Sequence, residues 1–258
     1  MNYFLRFVLV WAILLGASVQ ADLNLTPSKL IRITGVISEQ TLVQMRLDLM
    51  RFQNDDPFPA GLIVLLNSPG GDGEAAMAIG RLLRQHNAHV FVSGRCDSAC
   101  VFVFMGGVVR AAVPGTLGVH AGRLTLMQPN GQIVREVDAS KSLTDSFQLA
   151  GYNRDIRQYL QEMGIGHGIL DVILAHQTRA VYNLTQGDMA RYQVTGWDNA
   201  YLNERIRHLD SLGYNRQINR IELFNRSMLL PRICRASALS DREFIECYGR
   251  TMLGQHSS

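Results

Sequence analysis

The stretch that decides the fold runs from residue 61 to residue 85 and reads GLIVLLNSPGGDGEAAMAIGRLLRQ. Its first part, GLIVLL, is a continuous apolar run, which is typical of a strand covered on both faces. Pro69 and the two glycines after it end that strand. Asp72 can cap the helix that follows. The apolar face of that helix is formed by Ala75, Ala76, Ile79, Leu82 and Leu83.

Similar units lie on both sides of this stretch. Upstream, Leu30 to Ser38 predicts a strand and Glu39 to Phe52 predicts a helix. Downstream, the pattern predicts a strand, a buried helix and two more short strands, over residues 88–93, 98–105, 108–113 and 116–120. Strands and helices that alternate in this way build right-handed βαβ units and a largely parallel sheet. We therefore predict an α/β fold.

The residues after the last of these strands predict an insertion. Residues 123–137 read RLTLMQPNGQIVREV, in which two alternating runs flank the hairpin signal Asn130-Gly131. A long helix is predicted from Ala139 to Met163, with Gly151 as a candidate break, and another helix from Gly168 to Ala180. The sequence thus predicts a β-hairpin followed by two helices.

The last part of the chain shows weaker periodicity. Thr185 can cap a short helix, but the segment from Leu202 to Leu230 is polar and rich in Arg and Asn. Ser240 to Leu253 predicts a final helix. We divide the chain into a signal peptide (residues 1–21), an α/β domain (residues 22–200) and a small, mainly helical C-terminal appendage (residues 201–258).

The first residues have the layout of a secretory signal peptide. Arg6 gives a positive start, residues 7–15 form an apolar centre, and Val19 and Ala21 are small residues before a cleavage site. The apolar run is short for a membrane span, which needs about 20 residues. We expect an exported, periplasmic protein with no membrane span after cleavage. Retention of the segment as a membrane anchor is the alternative.

The charge distribution limits the classes of partner. The formal net charge is +3, and Lys29 and Lys141 are the only lysines. The arginines form no cluster with interleaved aromatic residues, which argues against nucleic-acid binding.

Four cysteines in an exported chain indicate disulfides, for which three pairings are possible. The pairing between sequence neighbours joins Cys96 to Cys100 and Cys234 to Cys247. The spacing lacks the paired pattern of a zinc site. We expect neither a metal nor a cofactor.

Three segments that could carry chemistry, SPGG, CDSAC and GVHAG, fall at or near predicted strand ends. Ligands of parallel α/β sheets gather at the carboxyl ends of strands. A serine nucleophile needs a base and donors for the oxyanion. Ser98 is the candidate nucleophile and His120 the candidate base, while Ala99 and the Gly70-Gly71 pair can offer backbone N–H groups. Each segment alone also has a structural explanation, as a helix cap, a tight turn or a structural histidine.

Taken together, these residues resemble a known family. The matching features are Asn67 to Gly71, Ser98-Ala99, Gly106-Gly107 and His120, in this order. They are similar to the Clp protease proteolytic subunit and its relatives in the ClpP/crotonase superfamily, above all to exported ClpP-like proteins with a serine between cysteines. The resemblance implies stacked ββα units, Ser98 as nucleophile, His120 as base, and Gly71 with Ala99 as the oxyanion hole. It also implies a polypeptide substrate and a homo-oligomer.

The chain departs from the family at the acid of the triad. Where the family places an aspartate, residues 179–183 contain no carboxylate. Asp171 upstream is our first choice on chemical grounds, and Asp188 lies just downstream. Asn183 could orient the histidine as an amide does in some Cys-His sites. A Ser-Lys dyad would have to use Lys141.

Three functions stay open at this point. The first is an exported serine peptidase of ClpP type. The second is a non-catalytic scaffold that keeps the fold and binds a partner, which the missing acid favours. The third is a crotonase-like acyl-CoA enzyme, which would not need Ser98 and His120 together. If Cys96 and Cys100 form a disulfide, its reduction could also control Ser98.

Overall fold

The structure is a computed structural model that describes residues 27, 29–50, 61–128, 132–137, 142–177, 180–211, 213, 219–235 and 238–255. The expected signal peptide (residues 1–21), the hairpin turn at residues 129–131 and Lys141 lie outside the described residues.

Strands and helices alternate along the first half of the chain, as the sequence predicts. In chain order, the elements up to the insertion are β1 (Lys29–Thr34), α1 (Glu39–Met50), β2 (Leu62–Ser68), α2 (Gly73–Gln85), β3 (His89–Asp97), α3 (Cys100–Met105), β4 (Val109–Ala111) and β5 (Leu117–Val119). The later elements are β6 (Leu124–Met127), β7 (Ile133–Val137), α4 (Leu143–Glu162), α5 (Gly168–Ala175), β8 (Tyr182–Asn183), α6 (Gln186–Arg191), β9 (Gly196–Trp197), α7 (Asn199–Ser211), α8 (Arg220–Ile233) and α9 (Asp241–Leu253).

The main sheet is largely parallel, which confirms the predicted α/β class. Its strands follow the order β1-β2-β3-β4-β9, and β5 pairs with β3 and with β8. The pairs among β1 to β5 are parallel, whereas β9 and β8 add antiparallel partners at β4 and β5. β6 and β7 form a separate antiparallel hairpin, as the sequence predicts.

β2 explains how the sheet is stabilised. Its five apolar residues are all fully buried, as the continuous apolar run predicts. Leu62, Val64 and Leu66 face a core shared with helices α1 to α6. Ile63 and Leu65 face a second core, which is shared with helices α7 to α9. The C-terminal helices therefore cover the second face of the sheet.

Several elements differ from the sequence prediction in their bounds. α3 begins at Cys100 rather than Ser98, because Ser98 has a positive φ that a right-handed helix does not allow. α4 continues through Gly151 without a break, and α5 ends at Ala175. The predicted caps Asp72 and Thr185 are confirmed, since each side chain accepts backbone N–H hydrogen bonds.

Two helices, α7 and α8, form in the segment with little periodicity. α8 buries only Leu223, Ser227 and Leu230, while Ile221 and Phe224 remain exposed at 70% and 41%. A narrow buried stripe among exposed apolar residues hides the helical period in the sequence. The disulfide Cys234–Cys247 ties the end of α8 to α9.

None of the helices within the described ranges has the length and apolar character that crossing a membrane would require.

Candidate active site

The glycine turn after β2 is fixed by the segment that follows β1. Gly70 and Gly71 have φ values of +96° and +142°, which residues with a side chain rarely adopt. The Ile37 N–H donates to the Gly70 carbonyl at 2.8 Å, and the Asp72 N–H donates to the Ile37 carbonyl at 2.9 Å. A Cβ on Gly71 would lie 2.2 Å from the Ile37 oxygen. The turn therefore requires glycine, and its backbone is held in place.

Ser98 follows β3 in a left-handed backbone conformation, with φ of 56°. β5 runs beside this end of β3 with Gly118 opposite Asp97, and the Ser98 N–H donates to the Gly118 carbonyl at 2.7 Å. The disulfide between the buried residues Cys96 and Cys100 spans the turn. A left-handed non-glycine residue costs on the order of 1–3 kcal/mol and is frequent at functional sites. The pairing and the disulfide hold Ser98 in this unfavourable conformation.

The glycine turn packs directly against Ser98. A Cβ on Gly70 would lie 2.7 Å from Ser98 Cβ and 2.9 Å from the Ala99 nitrogen, so only glycine fits there. Within the part of the chain that the structure describes, neither the Gly71 N–H nor the Ala99 N–H donates a hydrogen bond to the protein. Both groups are available to a ligand.

His120 directly follows β5, two residues beyond the Gly118 that faces Asp97. Its Nδ1 lies 2.8 Å from the Ala121 carbonyl oxygen. A carbonyl oxygen only accepts, so Nδ1 carries the proton and Nε2 of the neutral ring is left as an acceptor. The Ala121 N–H donates in turn to the His176 carbonyl at 2.8 Å. The backbone thus sets the tautomer of His120.

Four of the five residues named for catalysis line one cavity of about 1010 Å³, namely Ser98, His120, Gly71 and Ala99. The other walls come from the start of α2, the β6–β7 hairpin and helix α4. The predicted insertion therefore forms part of the cavity.

The fifth residue, Asp171, lies elsewhere. It is exposed in the first turn of α5 and does not belong to the cavity lining. Among the described residues, no carboxylate contacts His120 through a hydrogen bond.

The alternatives for the acid are engaged in other contacts. The Asn183 amide oxygen accepts a hydrogen bond from Arg95 at 2.9 Å. Asp188 accepts from the hydroxyl and N–H of Thr185, and these bonds lower the pKa of the Asp188 carboxyl. It also accepts from the Tyr182 hydroxyl at 2.9 Å.

The cavity contains residues that sequence reasoning missed. Carboxylates line it at Asp72, Glu74, Glu136 and Asp155. Tyr152 of α4 lines it as well. At Glu136, Tyr152 and Asp155 the sequence signals only a hairpin and a polar helix, because which of their residues face the cavity depends on the tertiary packing of the insertion. Asp72 and Glu74 lie at the predicted start of α2, where the sequence signals only a helix cap and a first turn.

No protein-family model matches the chain, and no curated protein matches it. Among solved structures, the chain is similar to a serine-to-alanine mutant of 1510-N, a membrane-bound stomatin-specific protease. The identity is 23%, the TM-score is 0.45, and the match covers 69% of this chain and 82% of the other. A lysine-to-alanine mutant of 1510-N in complex with a substrate peptide matches with 22% identity and a TM-score of 0.45, over 68% and 77% of the two chains. Likenesses of this size carry no activity over to this chain.

Proposed function

We propose that this protein is a ClpP-like serine hydrolase that cleaves peptide bonds. Ser98 is the nucleophile, His120 the general base, and the N–H groups of Gly71 and Ala99 form the oxyanion hole. One observation carries the proposal: all four residues line the same cavity. The strained backbone of Ser98 and the two N–H groups without a protein acceptor in the described ranges support it.

The proposed chemistry follows the usual order of acyl transfer. The Ser98 hydroxyl attacks the carbonyl carbon of the substrate, and His120 Nε2 takes the hydroxyl proton. Negative charge then develops on the carbonyl oxygen, where the two backbone N–H groups stabilise it. The protonated His120 gives its proton to the leaving amine, and water later hydrolyses the acyl-enzyme.

The group that orients His120 is a backbone carbonyl instead of a carboxylate. The Ala121 carbonyl holds the tautomer that leaves Nε2 free, but it carries no full negative charge to stabilise the imidazolium. In a serine protease, replacing the aspartate by an amide gives the wrong tautomer and lowers kcat by about 10⁴. Since the tautomer is favourable here, we expect hydrolysis that is slow but measurable.

The proposal includes location and assembly. We place the protein in the periplasm after removal of residues 1–21, in a compartment where disulfides persist. The substrate is a polypeptide, and the protein acts as a homo-oligomer. Mass spectrometry of the exported chain tests the location, and light scattering of the purified protein tests the assembly.

The first experiment is labelling of the purified, oxidised protein with an alkyl fluorophosphonate, with the adduct located by mass spectrometry. We expect labelling at Ser98, none in Ser98→Ala and strongly reduced labelling in His120→Ala. Ser146→Ala is the matched control, because Ser146 is an exposed serine of α4 outside the cavity lining. Its labelling should equal that of the wild type.

A non-catalytic scaffold that binds peptides is the second candidate. It is favoured because His120 has no carboxylate partner among the described residues. A folded, oxidised protein that is not labelled at Ser98 would refute the hydrolase and leave the scaffold.

A further inference from the structure

Tyr152 packs closely against two glycines, Gly73 and Gly122, in the cavity wall. A Cβ on Gly73 would lie 1.8 Å from the Tyr152 hydroxyl oxygen, and a Cβ on Gly122 would lie 2.6 Å from Tyr152 Cε1. Gly73 begins α2 just after the glycine turn, and Gly122 follows His120 by two residues. The ring of Tyr152 therefore lies between the two loops that carry the proposed catalytic groups, and all three residues line the cavity.

Within the ranges that the structure describes, the Tyr152 hydroxyl is not used by the protein itself. It has no hydrogen-bond partner in that part of the chain, although the side chain is partly buried. This oxygen is not fully enclosed by protein atoms, so it keeps contact with the open space of the cavity. Buried hydroxyl groups are nearly always hydrogen-bonded. A group that is left open in a cavity is thus available for a ligand.

The surroundings keep this hydroxyl protonated. Burial, followed by the negative charges of Asp72 and Glu74, raises the pKa of Tyr152 well above its ordinary value. The group therefore remains an O–H donor throughout the physiological pH range. The Asp72 carboxylate is occupied as the cap of α2, where Oδ1 accepts from two backbone N–H groups at 2.8 and 3.0 Å.

We propose that Tyr152 is a substrate-binding residue whose hydroxyl donates a hydrogen bond to a backbone carbonyl oxygen of the peptide in the cavity. This inference rests on the proposed function and adds a specific contact to it. A peptide substrate supplies the acceptors that the donor needs. A ring that serves only for packing would lose nothing when its hydroxyl is removed.

The test compares two probes on the wild type and on Tyr152→Phe. The first is an alkyl fluorophosphonate, which reports on Ser98 and has no peptide carbonyl. The second is the tripeptide aldehyde acetyl-Leu-Leu-norleucinal, which protects Ser98 from labelling. Protection of each protein is measured against its own labelling rate, and Tyr152→Phe should need a roughly 5–20-fold higher aldehyde concentration for half protection, because a peptide carbonyl loses its donor. A change below twofold would overturn the inference while leaving the hydrolase intact.

Two further variants separate a specific effect of the Tyr152 hydroxyl from a general effect on folding. Tyr182→Phe removes a hydroxyl that donates to Asp188 outside the cavity lining, and it should protect like the wild type. Gly122→Ala pushes against the Tyr152 ring and should weaken protection, as Tyr152→Phe does.

The failure of the proposed function gives a different result. If Ser98 is not labelled at all, the amide of the same tripeptide is titrated into Ser98→Ala with and without Tyr152→Phe, by calorimetry. Binding that weakens 5–20-fold with Tyr152→Phe supports the Tyr152 contact without the hydrolase. Binding that does not change overturns the contact, and no binding of the amide overturns both the contact and the peptide-binding scaffold.

Discussion

Two histidines of this chain stand in opposite situations. His89, at the start of β3, is buried in the C-terminal layer, and both of its ring nitrogens lie 2.9 Å from hydroxyl groups, those of Tyr201 and Tyr248. His120, directly after β5, is half-buried in the cavity wall, and its Nδ1 donates to the Ala121 carbonyl at 2.8 Å. In the described part of the chain, His120 Nε2 has no hydrogen-bond partner.

The difference shows what separates a structural histidine from one that can transfer a proton. Burial, followed by the positive charge of Arg205, lowers the pKa of His89 well below its ordinary value, so this ring stays neutral. With both nitrogens occupied, it has no lone pair for a substrate. His120 keeps one nitrogen open in the cavity that also holds Ser98. Its protonation can therefore change during a reaction.

The largest predicted effect comes from replacing each of these two histidines by Gln. His120→Gln should lower the rate of Ser98 labelling by about 10²–10⁴, because the general base is lost, and should leave the free energy of unfolding nearly unchanged. His89→Gln should lower the free energy of unfolding by about 2–4 kcal/mol, because a buried network is broken. Its labelling rate per folded molecule should stay at the wild-type value. Labelling kinetics and urea titrations measure the two quantities.

One result would break this comparison. If folded His89→Gln lost its labelling while His120→Gln kept it, the proton acceptor of the site would not be His120, and our assignment of both residues would be wrong.

The positions of Ser98 and His120 could be predicted because strand ends can be read from the sequence. Apolar runs end at the glycine turn, at CDSAC and at GVHAG, and a parallel sheet brings such ends to one edge. The register of β3 and β5, with Asp97 opposite Gly118, is the physical reason why these distant segments meet.

The rest depends on contacts that no local pattern records. Tyr152 belongs to the cavity only because Gly73 and Gly122 leave room for its ring. His89 begins β3 and His120 directly follows β5, and it is their burial and their hydrogen-bond partners that distinguish the two rings. Helix α8 buries so few apolar residues that its period is lost among exposed ones. Tertiary packing, rather than propensity, decides these elements.

The two disulfides provide the next contrast, since one lies at the candidate active site and the other in the C-terminal helices. Cys234–Cys247 closes a sequence separation of 13 and Cys96–Cys100 a separation of 4. Loop entropy grows with length, so we expect a loss of about 3 kcal/mol in unfolding free energy when Cys234 and Cys247 are both changed to Ala, and about 2 kcal/mol for the other pair. Only the variant that lacks Cys96 and Cys100 should also slow Ser98 labelling, by about 10-fold or more, because the Cys96–Cys100 bond spans the turn that holds Ser98.

Urea titrations and labelling of the two double variants check this prediction. Equal labelling rates would mean that the hydrogen bond to Gly118 and the contact with Gly70 suffice to hold Ser98. The proposed redox control of Ser98 would then fail as well.

A smaller effect is expected from pH. The pKa of His89 is lowered in the folded protein, whereas in the unfolded chain it is near 6.5. Below about pH 6.5 the unfolded state binds more protons, so the contribution of His89 to stability is fully present above that pH and falls as the pH decreases. The loss is at most about 1.4 kcal/mol per pH unit until the folded pKa is reached.

The matched variant for this measurement is His89→Gln, which does not titrate. The difference in unfolding free energy between wild type and variant should shrink between about pH 6.5 and pH 5 and stay constant above that range. A difference that is constant throughout would show that His89 titrates equally in both states.

The smallest effect is expected at Asp171, our sequence-based choice for the third catalytic residue. Its side chain is exposed on α5 and does not line the cavity, while the Ala121 carbonyl already fixes the tautomer of His120. Asp171→Asn should therefore change the labelling rate less than about twofold, as expected for a solvent-screened charge outside the cavity lining. A fall of about 10-fold or more would assign the missing acid to Asp171. It would also require α5 to approach His120 more closely during the reaction than in this structure.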